Sequence, residues 1–129
     1  IVSNLYLSSC HLEAQKDVLH RKGVTHVLQV GKELSPTHPA AFTYKHVPVY
    51  DLEEEDLVKY FPECFAFINS GRETGAVLVH CAAGVSRSAS VVIGYLMATG
   101  GLSLDDARAA VKASRPAINP NQGFLLQLQ

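Results

Sequence analysis

The chain has 129 residues, of which 47% are hydrophobic and 18% charged, and this composition predicts one folded domain over residues 1–129. A net charge of −1 at pH 7 gives no overall field that would attract nucleic acid or an anionic membrane, so neither is expected as a partner. Three cysteines are too few for a disulfide framework, no Cys/His spacing indicates a metal site, and no apolar run of about 18 residues predicts a membrane span.

The first half of the chain predicts strands on either side of one helix. Asn4–Leu7 suits a short edge strand, and the apolar spacing over Leu12–Lys22 predicts a single helix. The β-branched, largely apolar run Val24–Val30 predicts a central strand that is covered on both faces. After a loop containing two prolines, Tyr44–Val49 resumes an extended path, in which Pro48 requires a strand end or an edge.

The second half adds another strand and more helices. An acidic loop over residues 51–56 precedes Leu57–Arg72, where apolar residues at helical spacing predict a helix. Ala76–His80 is the second candidate for a central strand. Because strands alternate with helices, the sequence predicts an α/β fold with a central, mostly parallel sheet flanked by helices. The last three helices are predicted over Ser88–Met97, over Leu104–Ser114 with Ser103 as its cap, and over Gln122–Gln129.

The loop between the strand ending at His80 and the helix beginning at Ser88 predicts an anion site. Ligands of open α/β sheets bind beyond the carboxyl ends of the strands, which is where this loop falls. Its small residues allow successive backbone N–H groups to turn inward beside a helix N-terminus. Arg87 lies six residues after Cys81, far enough for the chain to close a ring and present a guanidinium to two phosphate oxygens. The predicted phosphate-binding residues are Ala82, Ala83, Gly84, Val85, Ser86 and Arg87.

The same loop predicts a nucleophile. Cys81, among those N–H groups and at a helix N-terminus, is favoured as the thiolate. It can attack phosphorus to form a phosphocysteine intermediate while Arg87 and the loop N–H groups stabilise the equatorial oxygens, so the predicted chemistry needs no metal or other cofactor. Two supporting roles are predicted: Ser88 donates a hydrogen bond to the sulfur, and His80 orients the cysteine through the backbone, although both could equally be ordinary cap and strand-end residues.

The departing oxygen needs a proton, which predicts a carboxylic acid on a nearby loop. The acidic loop supplies five candidates that the chemistry alone cannot rank. Asp56 is better explained as the N-cap of the helix at Leu57. The candidates are Asp51, Glu53, Glu54, Glu55 and Asp56.

The string from His80 to Ser88 resembles the signature of dual-specificity protein phosphatases, within the cysteine-dependent protein tyrosine phosphatase superfamily. Asn4–Ser8 resembles the opening segment of that family, Phe61–Glu63 its helix after the acid loop, and Arg115–Phe124 its C-terminal signature. The resemblance implies that Asp51 is the general acid. It also implies signalling activity on phosphotyrosine and on phosphoserine or phosphothreonine in proteins, with mitogen-activated protein kinases as one substrate class.

Two alternative functions are weighed against this one. A phosphoprotein-binding module would keep the pocket without turnover, but the joint presence of Cys81, Arg87 and Asp51 argues against it. A phosphatase for a non-protein phosphate such as phosphoglucan would have a similar loop, although no carbohydrate-binding module is present. The loop lacks the lysines that inositol-lipid phosphatases of the superfamily carry. The few cysteines and the absence of a leader-type opening predict a cytoplasmic or nuclear location.

Overall fold

Four strands form the central sheet of the computed structural model, which describes residues 2–129. In the order β1 (Leu5–Ser8), β4 (Ala76–His80), β2 (Val24–Val30) and β3 (Thr43–Val47), the two strands predicted to be central are central, and every pair is parallel. The predicted α/β class with a mostly parallel sheet is therefore confirmed. Pro48 directly follows the edge strand β3, as its missing N–H requires.

Helices cover both faces of the sheet. The α-helices within residues 2–129 are α1 (Cys10–Glu13), α2 (Lys16–Arg21), α3 (Phe61–Thr74), α4 (Arg87–Gly100), α5 (Leu104–Ser114) and α6 (Gln122–Leu128). Along β4, Val77 and Val79 pack into a cluster shared with α3, α4 and α6, whereas Leu78 packs on the opposite face against Leu19 of α2. All five residues of β4 are buried, so the strand that leads into the predicted phosphate loop is fixed from both sides.

The single helix predicted over Leu12–Lys22 is wrong, because two short helices, α1 and α2, take its place. Gln15 leaves the helical region between them, with φ −96° and ψ 77°. The break turns the carboxylate of Glu13 inward, where it accepts hydrogen bonds from Thr37 and Tyr44. A buried carboxylate that finds its partners on a distant loop and on β3 thus overrides the local helical spacing.

The later helices differ from their predicted ranges mainly at their ends. The helix predicted from Leu57 begins with a 3₁₀ turn, Val58–Tyr60, before α3. Asp56 accepts a hydrogen bond from the backbone N–H of Lys59 at 3.3 Å, so its side chain caps this turn, although the N-cap position is Leu57 and not the predicted Asp56. Helix α4 runs on to Gly100 and ends before left-handed Gly101, with φ 68°. Among residues 2–129, no helix is long and apolar enough to cross a membrane.

The segment that connects β4 to α4 lies at the carboxyl edge of the sheet, where other loops meet it. Cys10, just after β1, donates its backbone N–H to the carbonyl of Ala82 at 3.1 Å. Arg87 Nη1 donates to the carbonyl of Val49, just after β3, at 3.2 Å. The fold therefore assembles a site around this loop from segments that are far apart in the chain.

Candidate active site

Every carbonyl of the loop from Cys81 to Ser86 accepts a hydrogen bond from the surrounding protein. Arg115 donates to two of them, Nη2 to Ala83 and Nε to Gly84, each at 2.9 Å. In a trans peptide the N–H points away from the C=O, so these contacts leave the N–H groups of residues 82–87 directed to the inside of the loop. The other donors are Nδ1 of His80 to Cys81, N of Cys10 to Ala82, N of Asn119 to Val85, and N and Oγ of Ser90 to Ser86.

Cys81 begins this ring, and the residue is 2% exposed. Its Sγ accepts a hydrogen bond from the backbone N–H of Gly84 at 3.2 Å and lies 3.1 Å from Oγ of Ser88. Both groups can donate to a thiolate, and the N-terminus of α4 adds a favourable dipole. The structure thus brings the predicted nucleophile together with Ser88, and with His80 through the carbonyl that His80 contacts.

Gly84 is required by its backbone conformation and by its neighbours. Its φ of +69° is in the left-handed region, and a Cβ built there would lie 2.6 Å from the carbonyl of Ser8. The small residue lets the ring rest on the end of β1. Any side chain at this position would push the ring and β1 apart.

Arg87 is fixed by a carboxylate, Glu33, that was not among the residues predicted from the sequence. Nη1 and Nη2 of Arg87 donate to Oε1 and Oε2 of Glu33 at 2.6 and 2.9 Å. Hydrogen bonding to Arg87 lowers the pKa of Glu33. Hydrogen bonding to Glu33 raises the pKa of Arg87, and the charges of Cys81 and Asp51 raise it further. The signal in the sequence was weak: an acidic residue in the loop just beyond a central strand.

A count of the Arg87 donors shows which edge of the guanidinium is open. Nη1 uses both hydrogens, one on Glu33 and one on Val49, and Nη2 uses one on Glu33. Nε and the second hydrogen of Nη2 have no hydrogen-bond partner within residues 2–129. These two N–H groups point in the same direction, so Glu33 leaves the guanidinium a free bidentate edge for a bound oxyanion.

Asp51 is linked to the phosphate loop through Asn121. The side-chain Nδ2 of Asn121 donates to Oδ1 of Asp51 at 2.9 Å, and its backbone N–H donates to Oγ of Ser86 at 2.9 Å. Its Oδ1 accepts from the N–H of Phe124, which caps α6. The start of α6 therefore holds the predicted acid beside the loop that contains Cys81.

The contacts of the other acidic-loop residues distinguish them from Asp51. Glu55 accepts a hydrogen bond from the backbone N–H of Tyr50 at 2.8 Å, and Asp56 caps the 3₁₀ turn. The carboxylates of Glu55 and Asp56 therefore stabilise the backbone of the acidic loop and of the turn that follows it. Glu53 and Glu54 are exposed and make no side-chain hydrogen bond within the described part of the chain. Of the five carboxylates, Asp51 alone is tied to the segment that supports the phosphate loop.

A buried carboxylate lies behind the site on the α1 side of the sheet. Glu13 accepts hydrogen bonds from Oγ1 of Thr37 at 2.6 Å and from Oη of Tyr44 at 2.5 Å. Burial alone would raise the pKa of Glu13, but these bonds and the nearby His80 lower it below the ordinary value. The pKa of Tyr44 rises to about 12 through burial and the bond to Glu13. Burial lowers the pKa of His80, and the Cys81 carbonyl and Glu13 oppose that shift.

The geometry defines the class of protein. A thiol inside a ring of inward N–H groups, next to an arginine with a free bidentate edge, is the site of a cysteine-dependent phosphatase. In residues 2–129, no group of three or more His, Cys, Asp and Glu side chains could hold a metal ion.

Comparison with known proteins identifies the family. The family model described as "Dual specificity phosphatase, catalytic domain" matches residues 5–129. Dual specificity protein phosphatase 1 of Arabidopsis thaliana is 46% identical over the whole chain, which spans 66% of that relative's length. MAP kinase phosphatase with leucine-rich repeats protein 2 of Dictyostelium discoideum is 39% identical over the whole chain, which spans 18% of its length.

The solved structures agree with this result. The crystal structure of the human tyrosine phosphatase-like serine/threonine/tyrosine-interacting protein has a TM-score of 0.95 and 34% identity, over 99% of this chain and 90% of that one. The chain therefore belongs to the dual specificity phosphatase family and corresponds to its catalytic domain.

Proposed function

We propose that the chain hydrolyses phosphate monoesters on tyrosine and on serine or threonine side chains of proteins, through a phosphocysteine intermediate on Cys81. The observation that carries this proposal is the complete outward bonding of the loop carbonyls, which directs the N–H groups of residues 82–87 around the Cys81 thiol. Such a ring binds the three equatorial oxygens of a phosphoryl group and stabilises them during transfer.

The first step transfers the phosphoryl group to sulfur. The Cys81 thiolate attacks phosphorus, the S–P bond forms, and the bond to the ester oxygen breaks. Asp51 in its acid form gives its proton to the departing oxygen. The free Nε and Nη2 hydrogens of Arg87 bind two equatorial oxygens, while Glu33 holds the opposite edge of the guanidinium.

The second step releases inorganic phosphate. Water attacks phosphorus, Asp51 takes up a proton from that water, and the S–P bond breaks to return the Cys81 thiolate. Ser88 stabilises the sulfur as it leaves, since its Oγ lies 3.1 Å from Sγ. Atoms and charges balance over the two steps without another reactant.

Protein substrates are supported by the charges around the loop. Its residues 82–86 carry no lysine, and the acidic segment 51–56 and Glu33 are close by, an arrangement that disfavours a highly anionic lipid head group. A mitogen-activated protein kinase is one candidate substrate, because the Dictyostelium relative is named for one. The alternatives are a binding module without turnover and a phosphoglucan phosphatase; turnover and substrate choice distinguish them.

A panel of substrates tests the proposal. The chain is expected to hydrolyse p-nitrophenyl phosphate, a phosphotyrosine peptide and a phosphothreonine peptide in the presence of EDTA, with phosphate release measured by a dye assay. A doubly phosphorylated kinase activation-loop peptide serves as the kinase-derived substrate. Phosphate release from amylopectin but not from peptides would favour the phosphoglucan alternative, and tight peptide binding without turnover would favour the binding module.

Replacement of Asp51 by asparagine is expected to lower kcat for the phosphothreonine peptide by about 10²–10⁴-fold, because asparagine cannot protonate the alkoxide that leaves. The loss is expected to be much smaller for p-nitrophenyl phosphate, whose leaving group needs little protonation. The matched control is Glu54→Gln, which removes an exposed charge from the same loop. Equal losses for the two substrates, or an effect of Glu54→Gln as large as that of Asp51→Asn, would assign the acid to another residue.

A further inference from the structure

The carboxamide of Gln127, on α6, is hydrogen-bonded to three backbone groups of the segment that follows Asp51. Its Oε1 accepts from the N–H of Leu57 at 2.9 Å and from that of Val58 at 3.2 Å, and its Nε2 donates to the carbonyl of Glu55 at 2.6 Å. Only one orientation of the amide satisfies all three bonds, because an N–H only donates and a carbonyl only accepts. Gln127 therefore joins the end of the acidic loop to the start of the 3₁₀ turn.

The two N–H groups that Gln127 accepts need a partner from outside their own segment. They belong to the first residues of the 3₁₀ turn, where the turn itself supplies no acceptor. Leu57 is 1% exposed, so water is a poor substitute at this position. The side chain of Gln127 thus supplies an acceptor that the local backbone lacks.

The acidic loop has little contact with the core between its two ends. Residues 51–54 and 56 are exposed, whereas Val49 before the loop and Leu57 after it are buried. Within the loop, the N–H of Glu55 donates to the carbonyl of Leu52 at 3.1 Å and closes a turn. An exposed segment of this kind has low local stability unless other elements hold it. The position of Asp51 therefore depends on contacts with neighbouring elements.

Helix α6 is a rigid support for the loop. Its apolar residues Phe124, Leu125 and Leu128 are buried in the main core cluster. The turn at its start meets the loop as well, since Asn121 donates to Asp51 at 2.9 Å. A Cβ built on Gly123 would overlap the carbonyl of Glu53, so the helix and the loop backbone are in direct contact there. The helix thus meets the loop near Asp51, at Glu53 and, through Gln127, at the end of the loop.

We propose that Gln127 is a positioning residue for the general acid. By fixing the end of the acidic loop on α6, it keeps the carboxyl group of Asp51 at Asn121 and beside the oxygen that leaves. Without its three bonds the loop still contains the acid but no longer holds it in place, so proton transfer to a poor leaving group is lost first. This inference rests on the proposed role of Asp51.

Kinetics with two leaving groups test the proposal. Gln127→Met keeps the length and the helix propensity of the side chain but removes its three hydrogen bonds. It is expected to lower kcat for the phosphothreonine peptide about tenfold, kcat for p-nitrophenyl phosphate less than about twofold, and to change neither KM more than about twofold. Gln127→Glu keeps the acceptor and loses the donor, so its loss should be intermediate. The control is Gln122→Met, at an exposed glutamine of the same helix, which is expected to match the parent.

A double-mutant cycle separates positioning of Asp51 from a general effect on the fold. In an Asp51→Asn background, Gln127→Met is expected to cause little further loss with the phosphothreonine peptide, because Gln127 acts through that carboxyl group. Additive losses in the cycle, or equal losses with the two substrates, would overturn the role of Gln127.

Hydrogen–deuterium exchange tests the same inference without turnover. Peptic peptides that cover residues 50–58 are expected to exchange faster in Gln127→Met than in the parent and in Gln122→Met, whereas peptides from β4 should not change. Unchanged exchange in residues 50–58, or faster exchange in β4 as well, would overturn the inference. A parent without turnover would instead overturn the proposed function, and the exchange data would still decide whether Gln127 holds the acidic loop.

Discussion

Replacement of Cys81 by serine is expected to lower kcat/KM for p-nitrophenyl phosphate by at least about 10³-fold, because a hydroxyl in this ring is far less ionised and less nucleophilic than a thiol. Phosphopeptide binding should persist, since the N–H groups of residues 82–87 and Arg87 do not depend on the sulfur. Turnover is measured by phosphate release, and binding by isothermal titration with a phosphotyrosine peptide.

Two other cysteines provide the controls for this prediction. Cys10 contributes its backbone N–H to the carbonyl of Ala82, so Cys10→Ser should keep that contact and near-parental activity. Cys64 is buried in α3, and burial raises the pKa of its thiol to about 12, which makes it a poor nucleophile. If Cys81→Ser kept most of the turnover while Cys10→Ser lost it, the nucleophile would have to be assigned elsewhere.

The sheet and the phosphate loop could be predicted because their signals are local. The apolar strand Ala76–His80, the small residues after Cys81 and the helix from Arg87 are contiguous, so the strand-loop-helix unit follows from a short stretch of sequence. The other central strand, Val24–Val30, is nearly as plain. Both strands are covered on both faces of the sheet, and this burial requires the nearly continuous apolar run from which each strand is predicted.

The parts that could not be predicted depend on contacts between distant segments. Glu33 and Arg87 are 54 residues apart, and Asp51 and Asn121 are 70 apart, so no spacing rule brings either pair together. The break between α1 and α2 has the same origin, since Glu13 finds Tyr44 31 residues later. Asp51 was selected from five carboxylates by resemblance alone, and its contact with Asn121 is one that no local pattern predicts.

Arg87→Lys is the second substitution for which a large loss is expected, about 10³-fold in kcat/KM for p-nitrophenyl phosphate. Lysine retains the charge but offers one point of contact, so it cannot hold Glu33 and two phosphate oxygens at once. The ion pair with Glu33 would take up the ammonium group and draw it away from the bound phosphoryl group.

Glu33→Gln is the informative comparison for Arg87. Glutamine replaces one of the two carboxylate oxygens with an NH₂ group, which cannot accept a hydrogen bond from Arg87. The guanidinium therefore loses part of its orientation and keeps its free edge. A loss of about tenfold in kcat/KM is therefore expected, well below that of Arg87→Lys. Activity above that of the parent would show that Glu33 competes with phosphate for Arg87. That result would contradict the donor count, in which Glu33 and phosphate occupy different edges of the same guanidinium.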